Sequence, residues 1–310
     1  MSGSPLGRVV EIAEDGRYLA KVRGFLTVAE HGAEIGRVAL DDISAVIATS
    51  PATTVSCALL ADLANRGIPF VLCGRNYAPA GMLWPVDGHH AQQRRIESQA
   101  EAGRALKKRL WSLVVAAKIR AQGAALGAAG QDGGGFAFLA RQVKSGDPDN
   151  LEAQAARRYW PMMMGPAFRR DTSADGVNAL LNYGYAVLRG STARAIVAAG
   201  LHPGLGIFHR HPHNAMPLAD DLMEPFRPQV DLVVLCLLRE GATQVTSAAK
   251  RRLAGVLHSD QRSEAGSSPL ETCISRLAAS LAESFLSGKA NLVFPLGGVT
   301  NAAAGDAGAV

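Results

Sequence analysis

The texture of the chain changes near Gly88-His89-His90, and that change restricts the fold more than any other feature. Before it, apolar runs are short and punctuated by turn residues. Arg8 to Ile12 and Tyr18 to Arg23 flank Glu14-Asp15-Gly16, a hairpin turn signal, and Phe25 to Glu30 follows Gly24 as a third strand. Ile43 to Ala48 and Ile68 to Cys73 read as buried strands. Between them, Thr53-Thr54-Val55-Ser56 starts a helix that runs to about Asn65 and stops at Gly67, and Gly81 to Pro85 closes the unit. After the change, Ala91 to Glu101 and Arg104 to Leu126 carry apolar residues at helical spacing, with Leu106, Leu110, Leu113, Val114, Ala117 and Ile119 on one stripe. The expected class is therefore α+β. A β-rich domain over 1–86, with one helix and no active-site residues, precedes a larger all-helical domain over 87–289. The Ala- and Gly-rich stretch 290–310 is expected to fray.

Within the helical part, Gly123 to Gly135 ends in QDGGG and reads as a flexible linker; it lacks the lysine and hydroxyl of a phosphate loop. Asp147-Pro148-Asp149-Asn150 starts a helix through Tyr159. A long helix follows over Ser173 to Ala199, in which the polar Asn178, Asn182 and Tyr183 serve as packing locks or as supports for a site. Further helices are expected at Asp220 to Arg239, Gln244 to Val256 and Ser268 to Leu286.

The longest apolar runs, such as Val230 to Leu238, are too short to span a bilayer and are broken by Asp231. Met1 to Gly7 lacks the charged start and apolar run of a secretion signal, so a cytoplasmic protein is expected. Cys57, Cys73, Cys236 and Cys273 lie far apart among apolar neighbours and read as buried free thiols. The net charge of +5 favours a polyanionic partner, and its distribution says where. Between Arg94 and Arg120, the bases Arg94, Arg95, Arg104, Lys107, Lys108, Arg109, Lys118 and Arg120 outnumber the acids Glu97 and Glu101 by six. Such a run on helices is either a solvated face or a track for a nucleic-acid backbone.

The chemistry concentrates between His202 and Gln229, where His209, His211 and His213 stand just ahead of Asp220, Asp221 and Glu224. Imidazole and carboxylate together are the ligands of a hydrolytic or phosphoryl-transfer metal. Pro203, Gly204, Gly206, Pro212 and Pro217 keep the histidines in a loop, while the acids open a helix. Residues three apart share a helix face, so Asp221 and Glu224 can point together while Asp220 points elsewhere. Acids in a first helical turn also serve the dipole and free amides without any metal. The same applies to Glu152, which falls in the first turn of its own helix beside a niche of Ala155, Ala156 and Tyr159. Arg157, Arg158, Arg169 and Arg170 add positive charge nearby.

The segments DNLEAQAARRYW, DGVNALLNYGYAVLRG and GLHPGLGIFHRHPHNAMPLADDLMEPFRP resemble CRISPR-associated protein 1, the catalytic subunit of the spacer-acquisition machinery. They look most like the branch that accompanies single-protein RNA-guided effectors. GRYLAKVRGFL, LDDISAVI, LADLANRGIPFVLC and LKKRLWSLVVAAKI extend the resemblance from Arg8 to about Leu286. It implies a dimerising β domain and a helical catalytic domain with one metal site per subunit. By motif, the catalytic metal ligands fall on Glu152, His209 and Glu224; Asp221 is a second acid reaching the metal through water, and Arg227, Asn182 and Tyr183 support the site. The choice of His209 over His211 and His213 rests on motif alignment alone. The implied partners are a homodimer mate, a dimer of CRISPR-associated protein 2, the effector nuclease, the incoming DNA duplex (prespacer) and the leader–repeat junction. Arg94, Arg95, Lys107, Lys108, Arg109, Arg157, Arg169 and Lys250 are then the expected DNA contacts.

Hard oxygen ligands with one imidazole and open positions suit Mg²⁺ or Mn²⁺, whereas structural zinc would want four closed ligands and more sulfur. Two other classes fit the residues less fully. A small-molecule hydrolase built on the histidines predicts a closed pocket, and a DNA-binding scaffold predicts binding indifferent to metal.

Overall fold

The computed structural model describes residues 8–74, 79–83, 90–209, 211–263 and 266–296. The chain divides into two compact units, Met1–His90 and Ala91–Val310. The expected domain edge at residue 86 and most of the expected frayed tail, from 297 onward, lie outside the described residues, as does Met1 to Gly7.

The first unit is built from β1 (Arg8–Ile12), β2 (Arg17–Val22), β3 (Phe25–Glu30), β4 (Ala33–Ala39), β5 (Ile43–Ala48), β6 (Thr54–Val55), α1 (Cys57–Asn65), β7 (Phe70–Cys73) and β8 (Pro79–Met82). One sheet runs β4-β3-β2-β6 and another β1-β5-β7-β8. The hairpin at Glu14-Asp15-Gly16 is not the connection expected: β1 pairs parallel with β5, and β2 pairs antiparallel with β3 instead. The turn residues are right, but β1 takes its partner from a strand distant in sequence, which a local turn signal cannot reveal. Leu19, Leu26, Val46, Leu59 and Leu63 form one core with Ile43 and Phe70. Ser56 caps α1, its side chain accepting from the Leu59 amide at 3.3 Å.

The second unit is helical, with a small hairpin. It contains α2 (Gln92–Glu101), α3 (Arg104–Ala128), α4 (Gly134–Arg141), α5 (Leu151–Met164), α6 (Val177–Ala198), α7 (Pro217–Met223), α8 (Arg227–Arg239), α9 (Ser247–Ala254), β9 (Asp260–Ser263), β10 (Gly266–Pro269) and α10 (Leu270–Ser287). A 3₁₀ turn, Glu224–Phe226, joins α7 to α8, so the expected single helix from Asp220 is broken at Glu224-Pro225. The β9–β10 hairpin was not expected, because its polar residues carry no alternating apolar signal.

Helix α3 is the axis of this unit: Leu106, Leu110, Val114, Ala117 and Ile119 are buried, and it packs on α4, α5, α7, α8 and the 3₁₀ turn. The Gly123–Gly135 stretch is not a flexible linker. α3 continues through it, and α4 starts at Gly134. A Cβ on Gly133 would stand 2.0 Å from the Gly123 carbonyl oxygen, so these glycines are there for close backbone approach. Of the cysteines, all free, Cys273 is buried, Cys73 and Cys236 are half-buried, and Cys57 is exposed. No helix among the described residues is long and apolar enough to cross a membrane.

A candidate metal site on four helices

Glu152 enters the site because another residue takes over its capping duty. The Asp147 carboxylate accepts from the amides of Leu151 at 2.9 Å and Glu152 at 3.0 Å, closing the start of α5. The Glu152 side chain is thereby released toward α3, where the Lys118 ammonium donates to it at 2.6 Å. The same ammonium stands 2.5 Å from Glu224, in the 3₁₀ turn, and Arg227 approaches Glu224 from the other side at 3.0 Å. Two carboxylates from separate segments thus converge on one cation. Burial pushes the Glu224 carboxyl up, yet Arg227 and Lys118 hold it below the usual range. Burial opposes the charge on Lys118, but Glu224 and Glu152 keep its affinity for the proton above normal. Glu224 Oε2 is buried against the Lys118 ammonium.

His209 is set by Asp221. That carboxylate, fully buried on α7, accepts from the amides of Ile207 at 2.6 Å, Phe208 at 3.0 Å and His209 at 3.1 Å, and meets His209 Nδ1 at 2.6 Å. A carboxylate can only accept, so Nδ1 carries the proton and Nε2 is left as the ligand nitrogen. Gly206 permits this wrap: a Cβ there would stand 2.8 Å from the His209 carbonyl oxygen and 3.1 Å from Asp221. The Asp221 hydrogen bond raises the His209 pKa against burial, and Glu224 and Glu152 add to the rise, which places both acids within electrostatic reach of the ring. Asp221 is accordingly enclosed by the loop that carries His209.

The remaining histidines and acids have other duties. His211 and His213 are exposed and pack ring against ring at 5.5 Å. Asp220 pairs with Arg189 at 2.6 Å and accepts from Asn214 at 2.7 Å, a purely structural clamp on the loop. Asn182 accepts from Arg170 at 2.6 Å and is a packing lock. Tyr183 is buried with its ring under the Lys250 ammonium at 5.7 Å.

Supporting contacts come instead from a neighbouring cluster that sequence reasoning missed. Asp231 on α8 accepts from Tyr159 of α5 at 2.8 Å and from Tyr185 of α6, all three buried. The Tyr185 ring lies 4.7 Å under the Arg227 guanidinium that pairs with Glu224. Asp231 was read as a break in an apolar run and Lys118 as part of a basic surface. The usable signal was the same in both: one charge set between apolar neighbours that the fold has to bury.

Among the expected DNA contacts, Arg94, Lys108, Arg109, Arg157 and Arg169 are exposed and Lys107 is half-buried. Arg169 folds back on the carbonyls of Pro166 and Phe168. Arg95 is committed within the chain, to the Ala199 carbonyl at 3.0 Å and to Glu283 at 2.8 Å. Lys250 is 8% exposed, and a buried ammonium over a tyrosine ring is not presented to a phosphate backbone.

Two carboxylates and one imidazole nitrogen are the right donor chemistry for Mg²⁺ or Mn²⁺. As they stand, no three His, Cys, Asp or Glu among the described residues are close enough to hold a metal, because the Lys118 ammonium fills the gap between the carboxylates.

The family model described as "CRISPR associated protein Cas1" matches residues 10–266. A CRISPR-associated endonuclease Cas1 from Neisseria meningitidis serogroup C (strain 8013) is 36% identical over 251 residues, covering 80% of this chain and 82% of the relative. In fold, the chain is similar to a casposase bound to an integration product, at a TM-score of 0.78 and 20% identity over 93% of both chains. It is also similar to a chain of a Cas6-RT-Cas1–Cas2 complex, at a TM-score of 0.75 and 17% identity over 96% of this chain and 37% of the other. The chain belongs to the Cas1 family of CRISPR-associated endonucleases.

Proposed function

We propose that this chain is a divalent-metal-dependent DNA integrase and endonuclease that inserts short foreign DNA into a CRISPR array. The convergence of Glu152 and Glu224 on one buried cation, beside a histidine oriented by Asp221, carries this reading. Glu152, Glu224 and His209 Nε2 would hold the metal. When bound, Mg²⁺ or Mn²⁺ supplies Lewis-acid polarisation of the phosphate and of the attacking and leaving oxygens.

The chain's own residues do the rest. Asp221 fixes the tautomer of His209 and anchors the loop that carries it. Arg227 keeps fixed positive charge beside Glu224, where negative charge builds on a reacting phosphate, and Lys118 holds the two carboxylates together until a metal takes its place. The 3′-OH of the incoming strand forms a bond to the phosphorus at the leader–repeat junction as the leader's 3′-oxygen leaves and takes up a proton. One phosphodiester is exchanged for another, so no covalent enzyme intermediate is required. Water in place of the 3′-OH makes the same site a nuclease.

The exposed bases Arg94, Lys108, Arg109 and Arg157, with the half-buried Lys107, would track the DNA backbone without reading sequence. The partners proposed with this activity are a second copy of the chain, a Cas2 dimer and, from the motif resemblance to the branch with single-protein effectors, the RNA-guided nuclease, all in the cytoplasm. The structural similarity to a Cas1–Cas2 assembly supports the second of these. The test is strand transfer into supercoiled repeat-containing DNA with and without divalent metal. Transfer should require metal and be lost in His209→Ala, while His211→Ala and His213→Ala remain within a few-fold of wild type. DNA binding with no transfer under any metal would reduce the chain to a scaffold.

A further inference from the structure

The loop that carries His209 has no helix or strand ladder to hold it, so its buried backbone groups need partners from elsewhere. Asp221 supplies them at one end, for Ile207, Phe208 and His209. At the other end the partner is Gln99, the one buried residue of the ten in α2 and fully enclosed. Its Nε2 donates to the His202 carbonyl at 2.9 Å and to the Leu205 carbonyl at 2.8 Å, and its Oε1 accepts from the His202 amide at 2.8 Å. The whole amide is thus committed to a single turn, which the Leu205 amide closes by donating to the His202 carbonyl at 3.1 Å. The turn is tight: a Cβ on Gly204 would stand 2.9 Å from the His202 ring. One helical turn before Gln99, Arg95 donates to the Ala199 carbonyl at 3.0 Å, so α2 holds the approach to this turn as well.

A helix on a protein surface is ordinarily seated by an apolar stripe, and α2 spends its only buried position on an amide instead. A leucine there would fill the space but leave three buried backbone groups of the loop without partners. From Leu205 to His209 every residue except Gly206 is now pinned, Leu205 by Gln99 and the other three by Asp221. Past His209, by contrast, His211 and His213 are exposed. The fastening is therefore concentrated on the stretch that ends in the candidate ligand. A ligand has to be held to within about 0.5 Å of its working position, and a ring on a loop meets that demand only when the loop is fixed on both sides. We propose that Gln99 is a positioning residue for His209: together with Asp221 it clamps the loop so that Nε2 is presented to the metal already in place. The proposal rests on the reading of Glu152, His209 and Glu224 as metal ligands. It gives α2 a part in the site, which a glutamine serving packing alone would not.

The experiment measures Mn²⁺ binding by electron paramagnetic resonance, at equal folded concentration, in wild type, Gln99→Leu and Gln99→Glu. Gln99→Leu removes every hydrogen bond of the clamp. Gln99→Glu keeps the shape, yet in neither protonation state can it donate to both carbonyls, so it decides the matter if the leucine variant does not fold. Mn²⁺ should bind about ten-fold more weakly to each variant, the scale of losing an outer support of a metal ligand. Excess Mn²⁺ should restore strand transfer, and metal-free duplex binding should stay within a few-fold of wild type. Hydrogen exchange locates the effect: in the metal-free variants the amides of Ile207, Phe208 and His209 should exchange faster, while those of α3 keep their wild-type protection. Unchanged Mn²⁺ affinity would make Gln99 a packing lock and overturn the proposal, as would faster exchange spread equally over α3. Wild-type transfer and Mn²⁺ binding that the variants match remove the clamp alone. A wild type that neither binds Mn²⁺ nor transfers a strand removes the metal reading and the clamp with it.

Discussion

Two buried ionic clusters stand side by side in the helical unit, and they are built on opposite plans. Around Asp231 the carboxylate is fully buried and both oxygens are used, one by each of two tyrosine hydroxyls, with no cation in direct contact. Around Glu224 the carboxylate is almost as buried, but it is crowded by two cations, Lys118 and Arg227, and shares Lys118 with Glu152, whose side chain is 25% exposed. A polar group buried only for stability is expected to be satisfied, as Asp231 is. A cluster that gathers two acids around one displaceable cation costs stability and offers a binding site in return. The contrast argues, independently of any relative, for looking for the proposed metal at Glu224 and not at Asp231.

The sharpest way to break this contrast is to change one carboxylate in each cluster. Glu224→Gln should reduce metal-dependent strand transfer by at least about a hundred-fold, the scale of losing one preorganised electrostatic group. Asp231→Asn should leave transfer per folded molecule within a few-fold. Single-turnover assays at matched folded concentration make the comparison, and equal losses from the two changes would show that the clusters do not divide the work as described.

Lys118→Met tests the ammonium as resident counter-ion. Removing it leaves Glu152 and Glu224 facing one another with charge uncompensated, which should cost the metal-free protein about 3–5 kcal/mol. Mn²⁺ should recover much of that loss and should raise the unfolding temperature of the variant more than that of wild type, since nothing then has to be displaced. Denaturant titrations with and without Mn²⁺ provide the measurement. A variant as stable as wild type, with the same response to metal, would mean that the ammonium does not hold the site together.

The Asp231 cluster makes its own prediction through pH. Burial pushes the Asp231 carboxyl up to about 6 against the hydrogen bonds from Tyr185 and Tyr159. The folded state therefore holds a proton that the unfolded chain has released between about pH 4 and pH 6, so stability falls as pH rises through that window. A shift of that size corresponds to roughly 3 kcal/mol. Stability measured from pH 4 to pH 7 should show this decline in wild type, and the decline should be absent in Asp231→Asn. The same slope in both proteins would place the titration elsewhere.

How much of this was legible beforehand follows from the range of the interactions involved. Helical spacing revealed α3, α5 and α10, and loop composition marked the histidine segment, because those signals are local. Glu152, His209 and Glu224 were picked out by motif; that Glu152 and Glu224 share one cation required α3 to carry Lys118 between them, and sequence offered Lys118 only as one base among eight. The pairing of Asp221 with three loop amides was not legible, because it depends on how the loop wraps. The parallel pairing of β1 with β5 and the Tyr159–Asp231–Tyr185 contact were hidden for the same reason, being set by partners distant in sequence. Gly123 and Gly133 show the converse error, local flexibility read where tertiary crowding was the cause.

The smallest effect concerns how the two clusters are joined. Arg227 is their common wall: it pairs with Glu224 on one side and lies over the Tyr185 ring on the other. Tyr185→Phe removes a hydroxyl donor to Asp231 but keeps the ring beneath the guanidinium, so it should cost about 1 kcal/mol of stability and leave strand transfer nearly unchanged. Tyr185→Ala removes the ring as well; Arg227 then loses its support, and transfer should fall several-fold beyond the stability loss. If the clusters communicate only through that ring, Tyr185→Phe and Glu224→Gln should have additive effects on stability within about 0.5 kcal/mol. A larger coupling energy in that double-mutant cycle would mean that the hydroxyl itself takes part in setting Glu224, and that the closed cluster is an extension of the open one.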